Sequence, residues 1–379
     1  MVSSITKKTI IVMHKGGAQI RGSEVCIGQT IIALLNEQYH VVVIRNNSVL
    51  DSRLPKSERL TLIDGMFPEL MIDGPTVSLP IFEYPKALLR LYKLIRKFNP
   101  SLILCNGGLP CQTAVPVGRL MGVNVICHFH HPAPKRYFYF WLVKYTKHLI
   151  FPSNFTSSLV KQKCGRTGTV VYNAVDLYKR YKPADQVDSS HRNQLNIKPN
   201  SLVFGQIGAL VPHKRPDLVI KCFAELLKER PDSHLVIIGV GSMLSELKAL
   251  IKDIGLNSKV SLLGYVDSIL PYLQHVIDIS ILASIEEGLG ISVIEAAGCE
   301  VPSITRDCTG LSEVVIHEET GLKFDANDDT GLLRCMQEMA NNPKLRTKYG
   351  KAARLYALEK FDLATYKQQM LDTIKNNET

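Results

Sequence analysis

Short apolar stretches of strand length alternate with amphipathic stretches of helical spacing along this chain, and the alternation runs through twice. In the first half, the predicted strands cover residues 9–13, 40–44, 101–105, 124–129, 148–151 and 169–172, and the predicted helices cover 24–37, 86–98, 112–121 and 154–163. In the second half, the predicted strands cover 202–207, 234–238, 259–263, 276–282 and 302–305, and the predicted helices cover 216–229, 243–254, 291–297 and 311–316. Strands that alternate with helices form parallel sheets with helices on both faces. The sequence therefore predicts an α/β fold of two Rossmann-like, doubly wound domains.

A polar stretch with prolines and paired serines, residues 176–200, separates the two halves and favours a domain boundary. We therefore expect an N-terminal Rossmann-like domain at 1–180, a linker at 181–200 and a C-terminal Rossmann-like domain at 201–360. Residues 361–379 are expected to form a helix that can cross back to the N-terminal domain. Two such domains in tandem are expected to bind their ligand in the cleft between them, at the carboxyl ends of the strands.

The composition narrows the class of protein. With 379 residues, 45% of them hydrophobic and 21% charged, the chain is long enough for two globular domains. No apolar run reaches the length of a membrane span, and the apolar stretch 10–13 is too short for a signal peptide. Nine cysteines occur without a C-x-x-C pair, which indicates reduced thiols and a cytoplasmic protein. We also find no metal-site pattern, so no cofactor is expected.

The positive charge is concentrated in the first half. Up to Ser190 the chain has 24 Lys and Arg against 11 Asp and Glu, and between Glu83 and Asp176 it has 13 basic residues and no acidic one. This interval contains the aromatic stretch 137–143, flanked by lysines. A basic surface beside exposed aromatics favours a peripheral site on an anionic membrane face, since no nucleic-acid motif accompanies it. The alternative is that the aromatics belong to the core and the lysines only solubilise the domain.

Two glutamates eight positions apart, Glu287 and Glu295, follow the predicted strand 276–282, and Gly288 and Gly290 come directly after the first. The apolar spacing then becomes helical. One carboxylate is therefore expected in the turn at the helix N-terminus and the other about two turns along, roughly 12 Å away. This separation suits an elongated polyhydroxylated ligand with a phosphate near the glycines. A solvated acidic pair on a surface helix is the alternative interpretation.

Other strand-to-helix loops of the second half carry glycines and cations. After residues 202–207, Gly208 leads to Lys214 and Arg215, and a proline then begins a helix. The ammonium group of Lys214 is expected to face a leaving diphosphate, on which negative charge develops. Gly239 and Gly241 form another turn that allows close approach of a ligand, and the loop 305–313 is a further phosphate candidate.

The first half has two comparable loops. Gly16, Gly17 and Gly22 lie between the first strand and its helix, where backbone N–H groups can bind an anion, although their spacing does not match a dinucleotide motif. A turn without a ligand is the alternative. Three histidines cluster at residues 128–131, and strand alternation places His128 and His130 on one face. Such a histidine can bind a sugar hydroxyl or a phosphate; a metal ligand or a structural histidine remains an alternative.

With these loops in place, the chain resembles the retaining family-4 glycosyltransferases of the GT-B fold (glycosyltransferase group 1 type) over nearly its whole length. Residues 287–296 are similar to the E-x7-E motif of that family. Weaker similarities lie at 21–24, 173–176, 239–241 and 263–266, and residues 361–366 resemble the start of the terminal crossover helix of the family.

The resemblance implies roles for individual residues. Glu287 is expected to contact hydroxyls of the donor sugar, Glu295 the ribose hydroxyls, Lys214 the diphosphate, and His130 the sugar from the N-terminal domain. The first-loop glycine of the family corresponds best to Gly22, with Gly16 and Gly17 as the other candidates. The remaining implied donor-binding residues are Gly208, Arg215, Gly239, Gly241, Tyr265, Gly288, Gly290 and Ile291.

Two positions depart from the family pattern. Ala209 follows Gly208 where the family often has an arginine, so one charge-assisted contact with phosphate is missing. Arg215, Arg306 and Arg21 are candidates to replace it. Glu300 stands where a glycine is common, which affects the turn before the strand 302–305.

The resulting prediction is a retaining, metal-independent hexosyltransferase that moves a sugar from a nucleotide-diphosphate sugar, a UDP- or GDP-sugar, to a saccharide or lipid-linked acceptor. A role in cell-surface polysaccharide or lipopolysaccharide biosynthesis is expected, in the cytoplasm or on the inner face of the cell membrane. A nucleotide-sugar epimerase or hydrolase on the same fold is one alternative, and a non-catalytic basic surface-binding protein is another.

Overall fold

The computed structural model describes residues 8–17, 22–73, 76–130, 133–186 and 188–379. Arg21 and His131, which the sequence analysis singled out, lie outside these ranges. The chain divides into two compact units. Unit 1 comprises Met1–Asn173 together with Ala364–Thr379, and unit 2 comprises Ala174–Leu363. The expected linker 181–200 thus lies within unit 2.

Unit 1 is built on a parallel sheet of seven strands in the order β3-β2-β1-β6-β7-β8-β9, accompanied by a small antiparallel pair, β4 and β5. The strands are β1 (Thr9–His14), β2 (His40–Arg45), β3 (Leu60–Asp64), β4 (Met71–Asp73), β5 (Thr76–Ser78), β6 (Leu102–Asn106), β7 (Val125–His128), β8 (His148–Phe151) and β9 (Thr169–Val170). The central strands β1 and β6 are buried throughout because helices cover both faces of the sheet, as is usual for parallel sheets.

The helices of unit 1 come from both ends of the chain. They are α1 (Gly22–Asn36), α2 (Glu83–Phe98), α3 (Cys111–Met121), α4 (Lys135–Phe140), α5 (Asn154–Cys164) and, from the C-terminal segment, α13 (Leu363–Lys375). Helix α13 packs on α1, where the buried hydroxyl of Tyr366 lies 2.8 Å from Oγ1 of Thr30 and donates to the carbonyl of Cys26 at 3.0 Å.

The aromatic stretch 137–143 is not the exposed surface that the charge pattern favoured. Tyr137 and Phe138 of α4 are buried in the core of unit 1, and so is Val143, which begins the 3-10 helix Val143–Tyr145 that follows. Tyr139 and Phe140 remain partly exposed. The alternative interpretation, core aromatics beside solvated lysines, is therefore correct for most of this stretch.

Unit 2 contains a parallel sheet of six strands in the order β12-β11-β10-β13-β14-β15. Its strands are β10 (Leu202–Ile207), β11 (Ser233–Ile238), β12 (Val260–Gly264), β13 (Ile279–Leu282), β14 (Ser303–Asp307) and β15 (Gly321–Asp325). Its helices are α6 (Ser190–Gln194), α7 (Pro216–Glu229), α8 (Leu244–Asp253), α9 (Leu270–His275), α10 (Ile291–Gly298), α11 (Thr330–Asn341) and α12 (Pro343–Lys360). The prediction of two doubly wound α/β units is confirmed.

Several elements differ from the sequence prediction. The stretch 276–282 becomes a strand only from Ile279, and the stretch 311–316 is a short 3-10 helix at Thr309–Glu313 rather than an α-helix. Strands β3 and β15 were missed, as were helices α4, α6, α9 and α11. Helix α6 lies within the expected linker, where Arg192 pairs with Asp278 of unit 2 at 3.0 Å and holds the segment against that sheet.

Each sheet has one point where the strand order reverses direction, between β1 and β6 in unit 1 and between β10 and β13 in unit 2. At such a point the loops at the carboxyl ends of the two strands run to opposite sides and leave a crevice that binds ligands in α/β proteins. The candidate site is therefore sought in the loops that follow these four strands.

Candidate active site

Lys214 and Glu287 meet at the reversal point of unit 2. Lys214 ends a 3-10 helix that follows β10, and Glu287 lies in the loop that follows β13. Nζ of Lys214 donates to Oε1 of Glu287, and only 18% and 11% of the two side chains is exposed. Ser284 donates to the same oxygen at 2.9 Å. Among the described residues, the hydrogen bonds of this carboxylate fall on Oε1, so Oε2 is left for a ligand hydroxyl.

The backbone around Glu287 is held from a third loop. Its N–H donates to Oγ1 of Thr309 at 3.0 Å, and the N–H of Gly310 donates to its carbonyl at 3.1 Å. A Cβ atom on Gly310 would overlap the carbonyl of Gly288, so only glycine allows this approach. Thr309 and Gly310 were within the predicted phosphate loop 305–313, but their contact with Glu287 was not foreseen.

The E-x7-E spacing does not span two helical turns. Helix α10 begins at Ile291, and Gly290 precedes it with a positive φ of 99°. Glu287 therefore lies in the turn before the helix, as expected, but Glu295 is only one turn into the helix and not two turns along it. The reason is that Gly288 and Gly290 let the chain turn before the helix starts, which the apolar spacing alone does not reveal.

Glu295 lies beside a tyrosine that the sequence analysis missed. The pKa of Tyr181 is raised far above its ordinary value, mainly by burial and secondly by the negative charge of the Glu295 carboxylate. Burial and the same carboxylate raise the pKa of Cys299 to about 12. Glu295 is half-buried and so remains in contact with solvent. Tyr181 could not be found from the sequence because it lies more than 100 positions away in a stretch expected to be linker.

The glycines of the β10 and β11 loops bring two backbones together. A Cβ atom on Gly239 would overlap the carbonyl oxygen of Gly208, and one on Gly241 would overlap the backbone of Leu210. The N–H of Gly208 donates to Ile238 at 3.0 Å, which holds the two loops in register. Gly208, Gly239 and Gly241 therefore have a packing role, and their contact with a donor stays a prediction.

Arg215 and Arg306, two candidates to replace the arginine missing at Ala209, converge on Asp329. Nη2 of Arg215 donates to Oδ2 of Asp329 at 2.8 Å, and Nη2 of Arg306 donates to Oδ1 at 2.7 Å. Burial raises the pKa of the Asp329 carboxyl, but the two guanidinium groups hold it below its usual value. Arg306, 3% exposed, also donates to the carbonyls of Ala283 and Ala326. Both arginines thus already have a carboxylate partner.

Tyr265 and Ile291 complete the predicted donor-binding set in unit 2. Tyr265 is exposed in the loop after β12, and β12 lies two strands from β10 in the sheet. Ile291 is the half-buried first residue of α10. The structure thus brings Lys214 and Glu287 into contact, whereas Tyr265 is held in a more distant loop.

A second polar cluster lies at the reversal point of unit 1. His14 ends β1, Asn106 ends β6, and His130 follows β7. The amide nitrogen of Asn106 donates to Nδ1 of His14 at 2.9 Å, and its Oδ1 accepts from Nε2 of His130 at 2.6 Å. This places the ring hydrogen of His14 on Nε2, which lies 3.6 Å from Oε1 of Glu24. All four side chains are buried and form one connected chain of polar contacts.

The first-loop glycines pack against this chain. The N–H of Gly17 donates to Oε1 of Glu24 at 3.3 Å, and a Cβ atom on Gly16 would stand 2.8 Å from Nε2 of His14. Gly22 is the first residue of α1, two positions before Glu24. His14 and Asn106 were missed by the sequence analysis; their signal was that each ends a strand next to the reversal point.

His128 is a buried histidine without a hydrogen-bond partner among the residues that the structure describes. Its ring lies 4.0 Å from that of His130, which agrees with the prediction that the two share a face. Burial lowers the pKa of His128 to about 3, so the ring is neutral. In the described ranges no three His, Cys, Asp or Glu side chains are grouped so that they could share a metal ion.

Comparison with known proteins agrees with this architecture. The profile described as Glycosyl transferases group 1 matches residues 187–356, and the profile of Glycosyltransferase Family 4 matches residues 20–179. The chain is 25% identical over 335 residues to the Escherichia coli UDP-Gal:alpha-D-GlcNAc-diphosphoundecaprenol alpha-1,3-galactosyltransferase, covering 82% of this chain and 83% of that one. It is 31% identical over 224 residues to a GDP-mannose-dependent monoacylated alpha-(1-6)-phosphatidylinositol monomannoside mannosyltransferase of Corynebacterium glutamicum, covering 55% and 56%.

The fold is also that of a solved enzyme structure. Anabaena HepE in complex with UDP-glucose superimposes with a TM-score of 0.83 at 18% identity, over 97% of this chain and 99% of that one. Two Rossmann-like units with these strand orders define the GT-B class of fold. The chain belongs to the family-4 glycosyltransferases of group 1 type and is therefore an enzyme that transfers a glycosyl group.

Proposed function

We propose that the protein is a retaining, nucleotide-sugar-dependent hexosyltransferase whose donor is a UDP- or GDP-sugar. The observation that carries the proposal is the Lys214–Glu287 pair at the reversal point of the unit 2 sheet. A fixed ammonium group there stabilises the negative charge that develops on a departing diphosphate. Of the two relatives described above, one is named for a UDP-sugar and the other for a GDP-sugar, so the proposal includes both nucleotides.

Each site residue has a proposed task. The ammonium group of Lys214 binds the diphosphate and neutralises its negative charge, a task that a bound metal ion performs in other enzymes. Glu287 accepts hydrogen bonds from hydroxyls of the donor sugar through Oε2, and Glu295 does the same for the ribose. In unit 1, His130 binds a hydroxyl of a substrate sugar. Arg215, Tyr265, Ile291 and the loop glycines are proposed to line the donor site around these residues.

Retention is proposed from the resemblance to the retaining family-4 enzymes. Lys214 neutralises the charge of Glu287 and makes this carboxylate a poor nucleophile, so we propose transfer without a covalent glycosyl-enzyme intermediate. The bond between the anomeric carbon and the diphosphate oxygen breaks, and the acceptor oxygen bonds to the same face of that carbon. The proton of the acceptor hydroxyl passes to the leaving diphosphate oxygen. The charge of Lys214 then stabilises the product anion until its release.

The proposed acceptor is a saccharide or a lipid-linked saccharide, in the synthesis of a cell-surface polysaccharide or lipopolysaccharide at the cytoplasmic face of the membrane. The acceptor of the Escherichia coli relative is a diphosphoundecaprenol-linked sugar, which supports the lipid-linked class. In the described part of the chain no helix is long and apolar enough to cross a membrane.

Helix α2 supports a peripheral contact with an anionic membrane. Its exposed cations Lys86, Arg90, Lys93 and Lys97 follow one another at helical spacing along a single face, and Phe82 stands exposed at the start of the same face. Each cation near an anionic bilayer contributes on the order of 1 kcal/mol of attraction, which salt weakens.

The test is transfer and donor binding by purified Lys214→Ala and Glu287→Gln variants. Loss of a positioned donor to developing negative charge lowers kcat by about 10² to 10³, and we expect a decrease of that size for Lys214→Ala. Lys221→Ala on α7 is the matched control, since Lys221 is exposed and forms an ion pair with Asp217 at 3.4 Å. Anomeric configuration of the product is read by NMR, and activity is expected to persist in EDTA.

Unchanged turnover in both site variants would overturn the site. Inversion at the anomeric carbon would overturn the mechanism while leaving the donor site intact. A thermal-shift series with UDP- and GDP-sugars identifies the donor, because a ligand that binds only the folded protein raises the melting temperature.

A further inference from the structure

A basic pocket lies on unit 1 at the amino ends of β7 and β8, on the opposite edge of the sheet from His14, Asn106 and His130. Its volume is about 520 Å³. It is formed by the last turn of α3, by the turn that leads into β7, by the segment before β8 and by the residue two positions past α5. We call it the amino-edge pocket, and its polar lining includes Arg119, Asn124, Lys144, Lys147 and Arg166.

Four cations and no carboxylate line the amino-edge pocket. Some partly buried arginines of the described structure pair with a carboxylate, as Arg45 does with Asp51 and Arg306 with Asp329, whereas Arg354 donates to backbone carbonyls. Within the described ranges none of the four pocket cations forms an ion pair, and the pocket gathers all four of them without a carboxylate. Since like charges close together repel one another, such a group is stable only with solvent or an anion between its members.

Two of the four pocket cations, Arg166 and Arg119, are held by backbone carbonyls. Arg166 donates through Nη2 to the carbonyls of Thr146 and Lys147, at 2.8 and 3.3 Å, whereas its Nε is buried and has no partner among the described residues. Arg119 donates through Nη2 to the carbonyl of Tyr145 at 3.2 Å and lies 5.3 Å from that ring. Both guanidinium groups are thus oriented before any ligand arrives, which reduces the entropy lost on binding.

Two further observations show that the positive charge is not compensated locally. Burial, and after it the charge of Arg166, lowers the pKa of His148, the first residue of β8. The C-terminal end of α3 also borders the pocket, but a helix end carries a charge of only about −0.5. It therefore offsets a small part of the four cations.

Two exposed apolar side chains accompany these cations. Tyr145, which lines the pocket, is 43% exposed, and Leu120, the sequence neighbour of Arg119 on α3, is 76% exposed. An exposed leucine and an exposed tyrosine beside phosphate-binding cations are typical of a surface that enters the headgroup region of a bilayer, where aromatic rings and aliphatic tips are favoured. A site for a free soluble anion does not require an exposed leucine.

We propose that the amino-edge pocket binds the phosphate of an anionic phospholipid headgroup, with Leu120 and Tyr145 inserted at the bilayer surface. This inference adds a specific lipid-binding site to the proposed membrane contact, and it rests on that contact because the membrane supplies the phosphate. The α2 face would supply salt-sensitive attraction, and the pocket would supply recognition of the headgroup.

The experiment uses the full chain and vesicles of phosphatidylcholine with or without phosphatidylglycerol, at 0.15 M salt, with bound protein measured by co-sedimentation. The pocket variant is Arg119→Glu with Lys147→Glu, both of which are exposed. The control is Arg53→Glu with Lys56→Glu, which makes the same change in charge beside β3, the strand at the far end of the sheet. We expect the pocket variant to lose tenfold or more of its binding to anionic vesicles and the control to lose less than threefold.

Equal losses of vesicle binding in the two variants would overturn the proposed role of the pocket, because general electrostatic attraction would then account for the binding. Absence of binding by the wild-type protein would overturn both the pocket and the membrane contact. The source of the phosphate is tested by calorimetry with dihexanoyl phosphatidylglycerol and with inorganic phosphate. Tighter binding of the lipid, lost in the pocket variant, supports the proposal, and equal binding of inorganic phosphate overturns it.

A second variant, Leu120→Ser, keeps all four cations and is expected to weaken vesicle binding without changing the affinity for inorganic phosphate. Stabilisation by a nucleotide sugar is measured in every variant. It is expected to stay unchanged, because the pocket lies on unit 1 and the Lys214–Glu287 pair on unit 2. Failure of donor binding in the wild-type protein would count against the proposed function alone.

Discussion

Glu24 is a buried carboxylate whose ionised form is stabilised by its neighbours. Burial alone raises the pKa of a carboxyl group, yet the contact with His14 and the hydrogen bond from Ser23 lower the pKa of Glu24 to about 2. A group whose pKa is lower in the folded than in the unfolded state stabilises the fold above the unfolded value of 4.5, and this stability is lost as the pH falls toward 2. The full contribution is about 3 kcal/mol.

The first prediction is that Glu24→Gln removes this pH dependence. We expect the free energy of unfolding of unit 1 to fall by about 1–3 kcal/mol at pH 7 and to vary less between pH 4.5 and 3. The chain has one tryptophan, Trp141, which packs on Tyr137 in unit 1, so its fluorescence follows that unit. Glu37→Gln, on the exposed end of α1, is the control. Parallel pH curves for the wild-type and Glu24→Gln proteins would contradict the assignment.

At the scale of single residues, the sequence indicated chemistry where polar residues lie in loops at strand ends. Lys214 and Glu287 were found in loops that contain glycines, and His130 was found in a cluster of histidines. Asp329, Tyr181 and Asn106 were not, because each acts on a partner far away in the sequence: Asp329 binds Arg215, 114 positions earlier. The pairing of Lys214 with Glu287 itself also needed the structure, since strand neighbours are not readable from one chain.

At the scale of elements, the N-terminus of α10 depends on a glycine with an unusual backbone conformation. Gly290 has a φ of 99°, and a Cβ atom there would lie 2.6 Å from Cδ2 of Leu311. A residue just past the C-terminal end of α10 also has a left-handed backbone conformation. Glu300 has a φ of 59°, which explains why the related glycosyltransferases often have glycine at this position.

The second prediction is that Gly290→Ala destabilises unit 2 by more than 1 kcal/mol and weakens donor binding, because the strained backbone and the crowded Cβ displace the loop of Glu287. Gly255→Ala is a matched control: Gly255 has a φ of 72°, but nothing lies within 4 Å of its added Cβ. We expect about 1 kcal/mol of destabilisation there and unchanged donor affinity, measured by urea unfolding and calorimetry. Equal effects of both substitutions on donor affinity would refute this role of Gly290.

The strands that the sequence predicted well are those buried on both faces. In β1, β2 and β10 nearly every side chain is apolar and buried, so the apolar run and the strand coincide. Strands β3 and β15 were missed because charged or polar residues interrupt them, such as Asp64 at the end of β3 and Lys323 within β15. These two strands lie at sheet edges, where one side of the strand needs no partner.

At the scale of the whole molecule, each unit contains a histidine that burial keeps neutral. Burial lowers the pKa of His128 in unit 1 to about 3, and burial with the charge of Lys259 lowers that of His234 in unit 2 to about 4. Below the unfolded value of 6.5, the unfolded chain takes up protons that the folded units do not. Both units therefore lose stability as the pH falls from 6.5, by up to about 1.4 kcal/mol per pH unit for each histidine.

The third prediction is that each histidine controls the acid sensitivity of its own unit. His128→Leu is expected to flatten the pH dependence of the Trp141 transition between pH 6.5 and 5, and His234→Leu to leave that transition unchanged. Far-UV circular dichroism reports on both units, and His234→Leu is expected to flatten the pH dependence of the part of this signal that comes from unit 2. The two variants serve as controls for each other, and a change in the pH dependence of the Trp141 transition caused by His234→Leu would count against independent units.

Unit 1 is assembled from two segments of the chain, with the whole of unit 2 between them. During translation, Met1–Asn173 emerges first, and α13 follows only after Ala174–Leu363 has been made. At a synthesis rate of about 5–20 residues per second, the delay is roughly 10–40 seconds. Throughout this time the face of α1 that receives Tyr366 has no covering helix. The second unit can therefore fold completely before the first, because the first unit lacks one of its own helices until residues 363–375 have been made.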